Sequence, residues 1–208
     1  MNKQKGFTII ELLLAMTFLS ILLMAITMLI MQTVAIYDKG ISLRAVDKAG
    51  RTLASEMQRS FNQADPSKVK VEIASAVPGA PQGGRICTGT YSYVLNMPVN
   101  ATQSARFMKF SDPSGTACGS LPLALTGGVE MLPESDKTVT VRSISVVPGP
   151  DLEKQRIYKI AMQLTTGDDD MFADTTNQEC KAEKNYGQYC ATNRFEFTAR
   201  ASMQGGKQ

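Results

Sequence analysis

The first third of the chain shows two successive patterns of apolar residues. Residues 12–31 contain no charge and no proline, and most of them are apolar. As a helix rising about 1.5 Å per residue, this run spans about 30 Å, the thickness of a bilayer's hydrocarbon core. Beyond it, charges appear, and apolar residues recur three or four positions apart, at Val46, Ala49, Leu53, Met57 and Phe61. This spacing predicts an amphipathic continuation of the same helix, which should end near Asp65, because the residue before a proline is disfavoured in a helix.

After residue 66 the pattern becomes that of β-strands. Residues 69–73 and 138–146 alternate apolar and polar side chains, as half-buried strands do. Further candidate strands cover residues 91–97, 105–110, 156–165 and 194–202. Two segments rich in proline and glycine, 78–84 and 148–151, are predicted as loops. One long helix followed by short strands predicts an α+β fold, in which the helix packs its apolar stripe on a C-terminal antiparallel sheet.

Composition narrows the classes of function. The chain has 208 residues and a net charge of +3 that includes Lys3 and Lys5, which gives no support for nucleic-acid binding. It has no histidine, the commonest general base and metal ligand. We also find no glycine-rich phosphate-binding motif. We therefore expect a protein that is not an enzyme and that uses no cofactor.

Four cysteines lie beyond the apolar run, at Cys87, Cys118, Cys180 and Cys190. An even number in a translocated domain favours two disulfides formed in an oxidising compartment. We favour Cys87–Cys118 and Cys180–Cys190, because each pair closes a local loop. In the chain-entropy treatment, each contributes roughly 3 kcal/mol to stability. The two other pairings, and four free thiols, remain open alternatives.

One acidic cluster is a candidate metal site. It comprises Asp168, Asp169, Asp170 and Asp174, with Glu179 downstream. Clustered carboxylates can ligate Ca²⁺, but this spacing departs from the EF-hand pattern. A solvated loop is the competing interpretation.

Four tyrosines are candidates for an exposed aromatic patch: Tyr91, Tyr93, Tyr186 and Tyr189. Tyr91 and Tyr93 fall on the same face of a predicted strand, because side chains two positions apart share a face. Packing within the sheet is therefore the competing interpretation for these two.

The N-terminus itself carries the most specific signal. A short basic leader ends at Gly6, Phe7 follows, and Glu11 is the one acid at the start of the apolar run. A secretory signal peptide would have a shorter apolar core and a better cleavage site than the one near Ala35. A plain signal anchor explains the length and the flanking lysines, but neither the Gly6–Phe7 junction nor Glu11. A carboxylate inside a membrane segment is costly and marks a candidate functional site.

The segment from Lys5 to Leu13 resembles the type IV prepilin signature, which type IV pilins share with type II secretion pseudopilins. The resemblance implies that prepilin peptidase cleaves between Gly6 and Phe7 and methylates the new amino terminus at Phe7. It also implies that Glu11 pairs with the amine of a neighbouring subunit during assembly; a carboxylate that reaches the membrane interface is the alternative. No proline or glycine interrupts residues 7–37, unlike in many major pilins, so we favour a minor pilin or minor pseudopilin.

These expectations divide the chain into a leader (1–6), a transmembrane and polymerisation helix (7–36), an amphipathic helix (37–65) and an extracytoplasmic β-rich domain (66–208). The resemblance implies a subunit held in the cytoplasmic membrane and then assembled into an extracellular pilus or pseudopilus for motility, adhesion, DNA uptake or secretion. Its expected partners are prepilin peptidase, the membrane, and other pilin subunits through the N-terminal helix. The competing hypothesis is a membrane-tethered, adhesin-like binding module that does not polymerise.

Overall fold

The computed structural model describes residues 8–74, 81–100, 102–119, 125–132, 138–152, 155–167, 172, 180–181 and 189–202. Within these residues, one long α-helix is followed by eight strands and two short 3₁₀ helices. All strand pairings are antiparallel. The predicted α+β fold is therefore confirmed.

Helix α1 runs without a break from Ile9 to Asn62, a length of 54 residues. It ends three residues before Asp65, where the backbone N–H of Gln63 bonds to the carbonyls of Ser60 and Phe61. Asp65 instead caps a 3₁₀ helix, Pro66–Lys68, by accepting the backbone N–H of Ser67. The proline thus begins the next short helix rather than ending α1.

The two halves of α1 have different surroundings. Its side chains are exposed from Ile9 to Val34, whereas one face is buried from Ser42 onward. The five residues of the predicted apolar stripe are all at most 1 % exposed. By length and composition, α1 is the one helix in the described part of the chain that could cross a membrane.

The strands form two sheets. Five strands pair in chain order: β1 (Lys70–Ile73), β2 (Gly84–Cys87), β3 (Tyr91–Pro98), β4 (Ser104–Ser111) and β5 (Val129–Glu130). Three longer strands form the second sheet: β6 (Val139–Leu152), β7 (Gln155–Thr166) and β8 (Ala191–Ser202). The sequence predicts six of these strands in one sheet. It misses β2, which follows a glycine-rich stretch, and β5, which is only two residues long.

The prediction of a loop at residues 148–151 is wrong, because these residues belong to β6. Strand β6 lies at the edge of its sheet, and its pairing with β7 shifts register between Pro148 and Asp151. An edge strand tolerates prolines at such an irregularity, since a missing N–H there breaks no central ladder. The predicted loop at 78–84 lies partly outside the described residues; its last residue, Gly84, begins β2.

The main core lies between α1 and the two sheets. It contains Phe61 from the helix, Tyr93 and Phe107 from the first sheet, and Ile160 and Leu164 from the second, all fully buried. A smaller core covers the other face of the first sheet around the cysteines at 87 and 118. The first sheet therefore buries apolar side chains on both faces, which explains why its strands do not alternate cleanly in sequence.

Strand β8 runs alongside α1 in the same direction. The ring of Phe195 lies directly over Gly50, where a Cβ atom would be only 2.2 Å from the ring. Two turns further along the helix, Gln58 Nε2 donates to the carbonyl of Thr198 at 3.1 Å. Ala191 thus lies toward the end of the domain nearest the exposed half of α1, and Ser202 lies toward the end where α1 stops.

Candidate functional site

The start of α1 is built around Thr8 and Glu11. Thr8 has extended backbone angles and caps the helix: its Oγ1 accepts the backbone N–H of Glu11 at 3.3 Å. In return, Glu11 Oε2 accepts the backbone N–H of Thr8 at 3.0 Å and its hydroxyl at 2.9 Å. This reciprocal arrangement is a capping box, which satisfies backbone donors that have no partner in the first turn.

Glu11 has no charged neighbour in its segment of the sequence. It is the only charged residue between positions 8 and 37. The hydroxyls along the same segment bond to helix carbonyls three or four residues back, at Thr17, Ser20, Thr27 and Thr33. These polar side chains therefore need no external partner in an apolar environment. The carboxylate of Glu11 is the group in this segment whose charge remains to be balanced.

Glu11 lies where its carboxylate can bind a positively charged group of another chain. It lies in the first turn of α1, where the helix dipole favours negative charge. Its side chain is exposed, so its free lone pairs can accept a donor from another chain. Gly6 and Phe7, the predicted processing residues, lie outside the described residues.

The cysteines pair as the sequence favours. Cys87 joins Cys118 with a Cα–Cα distance of 6.2 Å, and Cys180 joins Cys190 at 5.8 Å. The first disulfide links the end of β2 to a 3₁₀ helix, Thr116–Cys118. The second closes part of the connection between β7 and β8.

Asp112 holds the turn that carries Cys118. Its buried carboxylate accepts the backbone N–H groups of Thr116 and Ala117 and the hydroxyl of Ser92. Burial alone raises the pKa of this carboxyl, but the donors, with that of Ser114 among them, outweigh it and hold the pKa below its usual value. The charged form of Asp112 therefore stabilises the turn.

Of the four candidate tyrosines, Tyr93 and Tyr91 pack within the sheet instead of forming an exposed aromatic patch. Tyr93 is fully buried and shares a hydrogen bond of 2.5 Å with Ser60 of α1. Burial raises the pKa of Tyr93 to about 12. Tyr91 is half-buried under Lys109, which lies 3.7 Å from its ring centre. Packing within the sheet is thus the correct interpretation for these two; Tyr189 is exposed, and Tyr186 lies outside the described residues.

The acidic cluster is not placed by the structure. Asp168, Asp169, Asp170, Asp174 and Glu179 all lie outside the described residues. Elsewhere in the described ranges, no group of three or more candidate ligands is close enough to hold a metal ion.

Sequence reasoning misses two residues of these sites. Thr8 is not among the predicted site residues, although a threonine three positions before a glutamate is a readable capping-box signal. Two donors to Asp112 come from Thr116 and Ala117, which follow it closely in the sequence. The third, Ser92, lies 20 positions earlier, and only the fold brings it beside Asp112.

Comparison with known proteins agrees with the N-terminal geometry. Residues 1–30 match the family described as prokaryotic N-terminal methylation motif. This match covers the predicted leader and cleavage junction, the capping box and most of the apolar run. No curated protein and no solved structure matches the chain. The chain thus combines this motif with a long N-terminal helix packed on antiparallel sheets, an arrangement similar to that of type IV pilins.

Proposed function

We propose that this chain is a minor pilin or minor pseudopilin, a non-enzymatic subunit that is stored in the cytoplasmic membrane and assembled into a filament. Prepilin peptidase cleaves it between Gly6 and Phe7 and methylates Phe7. The filament serves motility, adhesion, DNA uptake or secretion. The observation that carries the proposal is the single continuous helix α1. Thr8 and Glu11 form the capping box at its start, and the helix joins an exposed apolar half to a half that is packed in the domain.

Each part of α1 supports one step of this function. The apolar half is long enough to hold the subunit in a bilayer before assembly. The same exposed side chains can pack against other subunits once the helix leaves the lipid. Glu11 then pairs with the amine that cleavage creates at Phe7 of a neighbour, which removes the cost of two unpaired charges among apolar helices. The domain stays outside the membrane, where its two disulfides are stable.

Cell fractionation tests polymerisation directly. Cells that produce the chain together with the assembly machinery are sheared, and the filament and membrane fractions are probed for it. We expect the processed chain in both fractions. A processed chain found only in membranes, in cells that do make filaments, would contradict polymerisation and favour the membrane-tethered binding module.

A further inference from the structure

The face of α1 that points away from the domain is basic. Its cations follow one another at intervals of four, three and eight positions, so at about 100° per residue they lie within about 80° of one another around the helix axis. The buried side chains between Ser42 and Phe61 are centred on the opposite side of the helix. Four exposed cations form this basic stripe, which is roughly 22 Å long: Arg44, Lys48, Arg51 and Arg59.

The basic stripe carries an excess of positive charge. Among the described residues, its one ion pair joins Arg51 Nε to the carboxylate of Asp47, one turn earlier, at 2.9 Å. The next acid along the helix, Glu56, is directed to the first sheet, where it pairs with Lys109. Four cations against the single carboxylate of Asp47 leave this face with an excess of three positive charges.

An apolar patch continues this face toward the membrane half of the helix. Gly40 lies four positions before Arg44, and Tyr37 and Ile36 lie three and four positions before Gly40, so they are neighbours on the helix surface. The side chains of Ile36, Tyr37 and Leu43, which form the apolar patch, are 74 %, 68 % and 43 % exposed. A Cβ at Gly40 would meet nothing within 4 Å. This glycine therefore leaves room among the three side chains for another helix to approach closely.

Lipid tails do not cover the whole of this face. The uncharged run ends at Tyr37, and Asp38 and Lys39 follow it directly. Because ionised side chains are costly in hydrocarbon, the membrane core ends before these two residues. Gly40, Leu43 and the basic stripe therefore lie in the aqueous phase while the chain is anchored. Exposed apolar side chains beside a row of cations in water mark a surface for another macromolecule.

We propose that this face binds the N-terminal helix of a different pilin-type subunit, one that is apolar at its membrane end and acidic in the part beside the basic stripe. The inference rests on the proposed function, because assembly sets the helices of neighbouring subunits side by side and in the same direction. In that orientation the apolar patch contacts the neighbour's apolar run, and the basic stripe contacts the segment that follows it. Carboxylates there balance the three excess charges, which favours this partner over others.

Two other occupants match the face only in part. A second copy of this chain brings the same excess of positive charge to the contact, and like charges in juxtaposition cost affinity. A polyanion such as nucleic acid matches the basic stripe, but it leaves Ile36, Tyr37 and Leu43 in water. We therefore expect the chain to enter a filament as single copies, each flanked by other subunits.

Cross-linking in filaments identifies the partner of the basic stripe. Cells produce two copies of the full chain with different affinity tags, together with the assembly machinery. Their sheared filaments are treated with a carbodiimide, which joins a lysine amine to a carboxylate in contact with it. We expect Lys48 to be joined to an acid in the N-terminal helix of another chain that has a prepilin-type N-terminus. Filaments in which Lys48 is joined to the copy with the other tag, or to no helix of another subunit, would overturn the inference.

Charge reversal tests whether the basic stripe selects the partner. R44E/K48E should lower the amount of this chain in filaments by about tenfold or more, because its face then carries an excess of negative charge and repels an acidic helix. R44K, which keeps the charge, should enter filaments as the wild type does. The matched control is K68E/K70E, which reverses two exposed cations outside α1 and should also enter normally. Melting temperature and disulfide content verify that each variant is folded.

The outcomes separate this inference from the proposed function. If the wild-type chain never enters filaments, the proposed function fails. If the wild type enters filaments and R44E/K48E enters equally well, only the inference is wrong. If R44E/K48E is excluded, changing the partner's cross-linked acid to lysine should restore its entry. A partner variant that restores no R44E/K48E would show that this acid does not bind the basic stripe, and would overturn the inference.

Discussion

Glu11 Oε2 accepts two hydrogen bonds from Thr8, one from its backbone nitrogen at 3.0 Å and one from its hydroxyl at 2.9 Å. The carboxylate that the assembly hypothesis needs is thus already oriented by its own helix. The capping box places this charge in the first turn of α1, four residues along the sequence from Phe7, where the proposed cleavage would create an amine. Local capping and pairing with a neighbour are compatible, because a carboxylate has about four acceptor sites and Thr8 uses two.

Replacing Glu11 tests its role in assembly. We expect Glu11→Ala to be cleaved normally and to remain in the membrane, since the apolar run is intact. Its filament yield should fall by about tenfold or more, because the neighbour's amine then has no partner among apolar helices. The measurement is the ratio of filament to membrane protein after shearing. Gln32→Ala, a polar-to-alanine change in the same exposed segment, is the control, and equal yields from both variants would refute the pairing.

Two glycines in α1 make a matched test of helix packing. Gly50 is covered by the ring of Phe195, whereas a Cβ added at Gly40 would meet nothing within 4 Å. Gly50→Ala should therefore lower the free energy of unfolding by about 1–3 kcal/mol through overpacking. Gly40→Ala should raise helix stability by up to about 1 kcal/mol, because alanine is the better helix former. Urea unfolding of the full chain in detergent compares them; equal effects would show that Phe195 does not pack on Gly50.

Asp112 should make stability depend on pH in the acid range. The pKa of Asp112 is lower in the folded protein than in the unfolded chain, where it is about 4. The charged carboxylate therefore stabilises the folded state fully above about pH 4, and this stability is lost as the pH falls through the folded-state pKa. Asp112→Asn should cost about 1–3 kcal/mol at pH 7. The cost should shrink steadily below about pH 4. Urea midpoints from pH 7 to pH 2.5 measure it, and a cost independent of pH would contradict the assigned charge.

Tyr93 should ionise far later than an exposed tyrosine. Burial raises its pKa to about 12, and its hydroxyl is bonded to Ser60. In an ultraviolet titration of the folded chain, the difference between wild type and Tyr93→Phe should therefore develop near pH 12. A difference centred near pH 10, the ordinary value for tyrosine, would mean that the ring is exposed.

Those parts of the fold that depend on periodicity are predictable from the sequence. The stripe from Val46 to Phe61 and the alternation in β6 are properties of neighbouring residues, and both are readable. The division into two sheets is not, because it depends on which strands pair. The role of Gly50 is equally hidden: in the sequence it is an unfavourable helix residue, and only the approach of Phe195 from 145 positions away explains it.

At the N-terminus the situation is reversed. The prepilin-like motif around Gly6, Phe7 and Glu11 consists of neighbouring residues, so the sequence alone predicts it, and residues 1–30 match the N-terminal methylation motif. The fold adds Thr8, which fixes the Glu11 side chain, and the continuity of α1 from Ile9 into the domain.

The mass of the mature amino terminus tests the central claim most directly. The chain is recovered from membranes and filaments of cells that contain prepilin peptidase, and its N-terminal peptide is analysed by mass spectrometry. The account predicts a peptide that begins at Phe7 and carries one added methyl group on its amine. An intact Met1, or a chain that begins near Ala35, would contradict it.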